Sequence, residues 1–137
     1  MSAVVDWSRY VAIPHADLGR TLDGCDCWGL VRLVYLDELD IALPGYEHVY
    51  TSTRERQALD AEIAARAVEP PWREVGDLQP CDVILRSAGR FATHVGLVVD
   101  RARVLHMHLK ARSVICDRST AFPRDTVVGV YRHEALS

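Results

Sequence analysis

Cysteine and histidine are the residues of this chain whose types and spacing could do chemistry. The chain has four cysteines and six histidines among 137 residues. Cys27 directly precedes a run with helical periodicity, in the stretch DGCDCWGLVRLVY, whereas Cys25 lies in the loop before it. The unpaired amides and the dipole of a helix start favour an anion, which lowers the pKa of a thiol placed there. Cys27 is therefore the candidate nucleophile.

A nucleophilic cysteine needs a base within reach, and the base needs a group that orients it. His94 lies in the strand-like stretch THVGLVV, and His106 and His108 lie in the next one, RVLHMHL. Side chains alternate between the two faces of a strand, so His106 and His108 share a face. An even register places either of them opposite His94, and a slip of one residue moves His94 to the other face. A catalytic group built from these histidines therefore requires the even register.

Other uses of the same residues are a zinc site, a disulfide or a buried core thiol. Structural zinc sites usually space their cysteines as Cys-x₂₋₄-Cys, which argues against the set Cys25, Cys27, His106 and His108. A disulfide between Cys25 and Cys27 would close a small, strained ring. Free cysteines are often buried in cores, where they behave as small hydrophobes. We expect a reactive Cys27, no metal and no organic cofactor.

The elements that must position these residues change character halfway along the chain. Apolar residues recur at helical spacing over 27–39, with Asp26 or Asp23 as the N-cap. A capping box at 52–55 predicts a second helix to about residue 68. Five short stretches read as strands: CDVILRS, THVGLVV, RVLHMHL, SVICDR and VVGVYRH. We predict one α+β domain over 1–137, a meander sheet with helices on one face, and core positions for Cys81 and Cys116.

Composition narrows the class of protein and its partners. The hydrophobic share is 49%, the charged share 26% and the formal net charge -3. This balance suits a globular domain and gives no basic footprint for nucleic acid or a membrane surface. No stretch approaches the roughly 20 apolar residues of a membrane span. The start lacks the pattern of a signal peptide, so we expect synthesis in a cytoplasm, where disulfides rarely persist.

The motifs DCWGLVRLVY, LPGYE, LQPCDVIL, THVGLVV and VLHMH, in that order, resemble the NlpC family of papain-like cell-wall cysteine peptidases. The resemblance implies a papain-like fold in which an N-terminal catalytic helix packs on an antiparallel β-sheet. It matches Cys27 to the nucleophile, His94 to the base and His106 to the third polar residue. The implied activity is cofactor-free hydrolysis of amide bonds in peptidoglycan stem peptides.

With Trp28 directly after Cys27 and a short length without a signal peptide, the sequence looks most like the family members that are encoded with phage tail genes. That likeness implies association with a virion tail, phage tail proteins as partners and action at the cell envelope. The alternatives are a tail-tip structural component that keeps the fold without strong catalysis, and a related cysteine amidase or acyltransferase.

Two positions depart from the family pattern. His15 lies where members often have a tyrosine that helps to bound the substrate and the oxyanion. We therefore expect His15, together with Asp26 and His108, among the substrate or oxyanion contacts. Cys81 replaces the glycine of the family's Pro-Gly-Asp, a change expected to affect only the turn.

Overall fold

The computed structural model describes residues 5–16, 19–44, 65, 69–88, 91–108 and 111–136. The second helix predicted from 52 to about 68 lies outside these ranges, apart from Ala65. No helix within the described ranges is both long and apolar enough to cross a lipid bilayer.

Helix α1 spans Cys27–Leu39, the predicted bounds. The Asp26 side chain accepts a hydrogen bond from the Gly29 amide at 2.7 Å, so Asp26 rather than Asp23 is the N-cap. The helix ends at Leu39, because the next residue, Asp40, has a left-handed φ of 56° that breaks the α conformation. Before α1, the two-residue strands β1 (Arg20–Thr21) and β2 (Gly24–Cys25) form a small hairpin.

Six antiparallel strands form the main sheet: β3 (Trp72–Glu74), β4 (Val83–Ala88), β5 (Phe91–Val98), β6 (Arg103–Met107), β7 (Ser113–Asp117) and β8 (Val127–His133). Their order across the sheet is β3-β8-β4-β5-β6-β7. Strands β4 to β7 make the predicted meander, and β8 returns beside β4 with β3 outside it. A four-residue helix, α2 (Arg118–Ala121), lies in the connection between β7 and β8. The predicted α+β class, a helix packed on an antiparallel sheet, is confirmed.

Both faces of the sheet are covered, so the expectation of helices on one face is wrong. Alternation along each strand sends neighbouring side chains to opposite faces. Leu97 packs in the cluster that contains the apolar side of α1, whereas Val98 packs with Ala121 and Phe122 at the end of α2. The short helix was missed because four residues carry no periodic signal.

Strands β5 and β6 pair in the even register that the catalytic hypothesis required. Gly96 lies opposite His106, and Val98 lies opposite Val104. His106 is thus the diagonal neighbour of His94 on the same face of the sheet. Asp100 holds the turn between the strands, because its carboxylate accepts hydrogen bonds from the amides of Ala102 and Arg103.

Candidate active site

His94 and His106 form a hydrogen-bonded pair on the face of the sheet that carries Phe122. His94 Nε2 lies 2.8 Å from His106 Nδ1. Both side chains are buried, with 8% and 7% of their surfaces exposed. A bond between Nε2 and Nδ1 leaves His94 Nδ1 as the ring nitrogen that points away from His106. The pair therefore has the connectivity of a base and its orienting partner.

Phe122 forms the floor beneath the two histidines. Its ring stacks on His94 at 5.6 Å between centroids and 17° between planes, and it meets His106 edge-on at 5.7 Å. A Cβ atom on Gly96 would lie 2.8 Å from Phe122 Cζ, closer than real contacts allow. The glycine two residues after His94 is thus required for the phenylalanine to approach the sheet.

Burial and nearby charges keep His106 neutral. Burial lowers the pKa of His106 to about 4, and the charges of Arg86 and His108 act in the same direction. Arg86 lies over the Phe122 ring, with its guanidinium carbon 5.4 Å from the centroid, and it donates a hydrogen bond to the Ala121 carbonyl. A neutral His106 carries one ring hydrogen, so one nitrogen donates and the other accepts.

Cys116 packs against the apolar cluster that contains Val98 and Phe122, in partial agreement with its predicted core position, and it also contacts the far side of His106. Its Sγ lies 3.3 Å from His106 Nε2, and the residue is half-buried on β7. Burial, followed by the nearby Asp117 carboxylate, raises the pKa of the Cys116 thiol. Cys81 is buried as predicted, but it lies in a turn before β4 and has a φ of 73°. That left-handed conformation favours the glycine that the family has there.

Cys27 is the first residue of α1 and is half-buried. The preceding Asp26 is fully buried, and its carboxylate accepts a hydrogen bond from Arg20 Nη1 at 2.9 Å as well as capping the helix. This carboxylate therefore holds the helix start, and its expected role as a substrate or oxyanion contact stays a prediction. Gly29 lets the Gly19 carbonyl approach the same turn.

The remaining predicted contacts flank this region. His15 bridges to Cys25 in a parallel pairing, which places it beside the loop that leads to Cys27. Its amide donates to the Ala111 carbonyl at 3.1 Å. His108 is exposed just past the end of β6 and lies near enough to His106 to affect its charge.

The four residues weighed as zinc ligands do not come together. Among the residues that the structure describes, no three histidine, cysteine or acidic side chains are grouped as metal ligands would be. Cys25 is fully buried in β2, and burial raises the pKa of its thiol to about 12. All four cysteines are free thiols.

Sequence reasoning missed three side chains around the histidine pair: Phe122, Arg86 and Cys116. Arg86 pairs with His94 across β4 and β5, and Cys116 is a diagonal neighbour of His106 across β6 and β7. Strand parity could have indicated both, once the two registers were known. Phe122 follows a short helix that no periodic pattern in the sequence predicts.

Comparison with known proteins relates this geometry to a family. The family model for NlpC/P60 matches residues 15–132. No curated protein sequence matches the chain. Among solved structures, the NlpC/p60 domain of the peptidoglycan hydrolase SagA is 15% identical with a TM-score of 0.62, and the match covers 91% of each chain.

Two further solved structures share the fold. An NlpC/P60 family protein from Bacillus cereus is 17% identical, with a TM-score of 0.64. That match covers 93% of this chain and 37% of the other. NlpC1 from Trichomonas vaginalis is 18% identical with a TM-score of 0.63, covering 92% and 41%. This chain thus spans about two fifths of those two proteins. The predicted papain-like α+β fold is confirmed, and the chain belongs to the NlpC/P60 family.

Proposed function

We propose that this protein is a cysteine endopeptidase that hydrolyses amide bonds in peptidoglycan stem peptides. The observation that carries the proposal is the 2.8 Å bond between His94 and His106, on strands β5 and β6, which both also contact the Cys27 helix. These three residues occupy the positions that resemble the family's nucleophile, base and orienting residue. The NlpC/P60 domain of a peptidoglycan hydrolase has the same fold, which supports the choice of substrate class.

In the proposed reaction, Cys27 attacks the amide carbonyl as a thiolate. Its position at the first turn of α1 favours the anion through the helix dipole and the unpaired amides. The oxyanion that forms lies against the backbone amide of Cys27, with His15 on the neighbouring segment as a second donor. Collapse of the tetrahedral intermediate breaks the C–N bond and leaves an acyl-enzyme.

His94 holds the proton between these steps. Its Nδ1 takes the proton of the Cys27 thiol and later gives it to the leaving amine. His106 accepts a hydrogen bond from His94 Nε2–H, which fixes the tautomer and the ring orientation. Water, deprotonated by His94, then releases the acyl group and regenerates the thiol.

The proposal includes the setting expected from the sequence, a protein associated with a phage tail that acts at the cell envelope. The residue that supports it is Trp28, which follows the nucleophile as in tail-encoded members of the family. Immunodetection of the chain in purified tail particles, and not in the soluble fraction alone, tests this part. Its absence from such particles would remove the setting and leave the peptidase assignment standing.

Defined muropeptides, analysed by mass spectrometry after incubation with the protein, test the activity and identify the bond. We expect cleavage by the wild type and by Cys25→Ala, and none by Cys27→Ala or His94→Ala. Cys25 is a suitable control because its buried thiol lies two residues from Cys27. Equal cleavage by Cys27→Ala would refute the assignment. A folded wild type that binds peptidoglycan but never cleaves it would favour the structural tail component.

Thiol alkylation tests the partnership of Cys27 and His94 independently of substrate. We expect iodoacetamide to modify Cys27 at pH values where an ordinary thiol, of pKa about 8.5, is mostly protonated. His94→Ala should suppress that reactivity. We expect little labelling of Cys25 and Cys81, because both side chains are buried and burial raises the pKa of each thiol to about 12. Peptide mapping locates the label, and equal labelling in His94→Ala would break the proposed pair.

A further inference from the structure

Three side chains form a diagonal line across the neighbouring strands β5, β6 and β7. His94 and His106 are diagonal neighbours across β5 and β6, since Gly96 lies opposite His106. Cys116 and His106 have the same relationship across β6 and β7, since Cys116 lies opposite Val104. The contacts follow the line, from His94 Nε2 to His106 Nδ1 at 2.8 Å and from His106 Nε2 to Cys116 Sγ at 3.3 Å.

The line allows two proton arrangements, and only one of them suits catalysis. In the first, His106 carries its hydrogen on Nε2 and donates it to Cys116 Sγ, while Nδ1 accepts from His94 Nε2–H. In the second, His106 Nδ1–H donates to His94 Nε2, and the Cys116 thiol donates to His106 Nε2. Neutral His94 then carries its own hydrogen on Nδ1, where it cannot accept the proton of Cys27.

We propose that Cys116 is a positioning residue of the active site, whose Sγ accepts the Nε2 hydrogen of His106 and thereby fixes the tautomer that orients His94. The inference rests on the proposed peptidase function, since that function requires the first arrangement. Cys116 does not touch the reacting atoms; it acts through His106 and then His94. The family pattern has one residue that orients the base, here His106. Cys116 is then a second positioning residue, which acts on His106.

The position of a single hydrogen on His106 separates the two arrangements, because of the surroundings of Cys116. Its thiol stays protonated at neutral pH, because burial and Asp117 raise its pKa more than Arg86 lowers it. His106 stays neutral beside it, so no cation replaces the single hydrogen whose position matters. Without Sγ, the catalytic tautomer has a buried N–H with no acceptor, at a cost of about 1–3 kcal/mol, and the other tautomer has an acceptor nitrogen with no donor. Proteins tolerate an orphaned acceptor better than an orphaned donor, so removal of Sγ should disfavour the catalytic tautomer.

Two substitutions separate this role from packing. Cys116→Ser keeps an acceptor at the γ position, and Cys116→Val replaces Sγ by a methyl group, adds a second methyl group and keeps the strand preference, but has no polar atom. Long-range ¹H–¹⁵N correlation spectra of ¹⁵N-labelled protein at pH 7 report which ring nitrogen of His106 is protonated, with His106→Asn used for assignment. We expect Nε2–H in the wild type and in Cys116→Ser, and a loss of that tautomer in Cys116→Val.

Kinetics provide the second readout. We expect Cys116→Val to lower kcat about tenfold at constant KM, and Cys116→Ser to restore most of it. His106 protonated on Nδ1 in the wild type, or an unchanged tautomer in folded Cys116→Val, would overturn the inference while leaving the peptidase assignment intact. If the tautomer responds as expected but no muropeptide is cleaved, the proposed function fails and the positioning by Cys116 stands.

Discussion

His94 and His106 are joined through their ring nitrogens at 2.8 Å although they are not directly opposite each other in the sheet. The residue opposite His106 is Gly96. A diagonal contact of this kind is within reach of long side chains on one face of an antiparallel pair. The missing side chain of Gly96 leaves the space beside it to Phe122, which fixes both rings from below.

Substitution of His106 should distinguish an orienting acceptor from a packing residue. His106→Asn keeps an acceptor oxygen near the position of Nδ1, whereas His106→Leu keeps only bulk. We expect His106→Leu, which removes the partner that orients His94, to lower kcat by up to about 10⁴, and His106→Asn to lower it by about tenfold. Steady-state hydrolysis of a defined muropeptide measures both. Equal losses in the two variants would mean that His106 only fills space.

The buried neutral His106 should make stability depend on pH. Its pKa is about 4 in the folded protein and near 6.5 when unfolded, so between these values only the unfolded chain binds the proton. The free energy of unfolding is then unaffected above about pH 6.5 and decreases as the pH falls, by about 3 kcal/mol in total below pH 4. Urea denaturation at several pH values measures this decrease.

His106→Asn is the control for that titration. The substitution removes the imidazole that titrates. The free energy of unfolding should therefore fall less between pH 6.5 and 4, by the amount that His106 contributes in the wild type. His133, whose pKa burial also lowers, is common to both proteins and cancels in the difference. Parallel profiles for the wild type and His106→Asn would show that another group carries the pH dependence.

Local signals in the sequence predicted most of the fold. The bounds of α1 followed from its capping aspartate and its helical period, and the central strands from their β-branched runs. The edge strand β3 was missed because three residues, two of them charged, show no alternation. It forms by pairing with β8, a partner about sixty residues later in the chain.

From the sequence, the candidate site could be predicted only as far as the alternation of side chains between the two faces of a strand allows. An even register of β5 and β6 was deduced as a requirement, and it placed His94 and His106 on one face. The contact of Cys116 depends on a second register, between β6 and β7, which no residue type announces. Phe122 reaches the pair from a four-residue helix, so its role emerges only from tertiary packing.

A side chain added at position 96 should lower the free energy of unfolding. In Gly96→Ala, the new Cβ would lie 2.8 Å from Phe122 Cζ and 3.2 Å from the Leu105 carbonyl oxygen. Overpacking of this kind costs about 1–3 kcal/mol, measurable by urea denaturation. Gly76→Ala is the matched control, because a Cβ added there would meet no atom of the described residues within 4 Å beyond its chain neighbours. Its effect should stay within about 0.5 kcal/mol.

The cause of the Gly96→Ala effect can be isolated with a second substitution. Phe122→Leu removes the ring atoms that the new Cβ would meet. If the clash with Phe122 is responsible, the two substitutions will be non-additive, with Gly96→Ala costing less in the Phe122→Leu background. Strict additivity would instead assign the cost to the Leu105 carbonyl or to the strand backbone.

Asp26 holds the start of the helix on which the proposed nucleophile lies, so its loss should cost stability as well as activity. Its carboxylate caps the Gly29 amide and pairs with the mostly buried Arg20. Asp26→Ala removes both interactions and leaves Arg20 without this carboxylate, for which we expect a loss of about 3–5 kcal/mol. Asp26→Asn keeps the cap oxygen and should lose less.

Asp23→Ala, at an exposed turn position nearby, should change the free energy of unfolding by no more than about 0.5 kcal/mol. Chemical denaturation of the three variants, with alkylation of Cys27 as a probe of the helix start, checks this order; a stable Asp26→Ala would show that the helix begins at Cys27 without its cap.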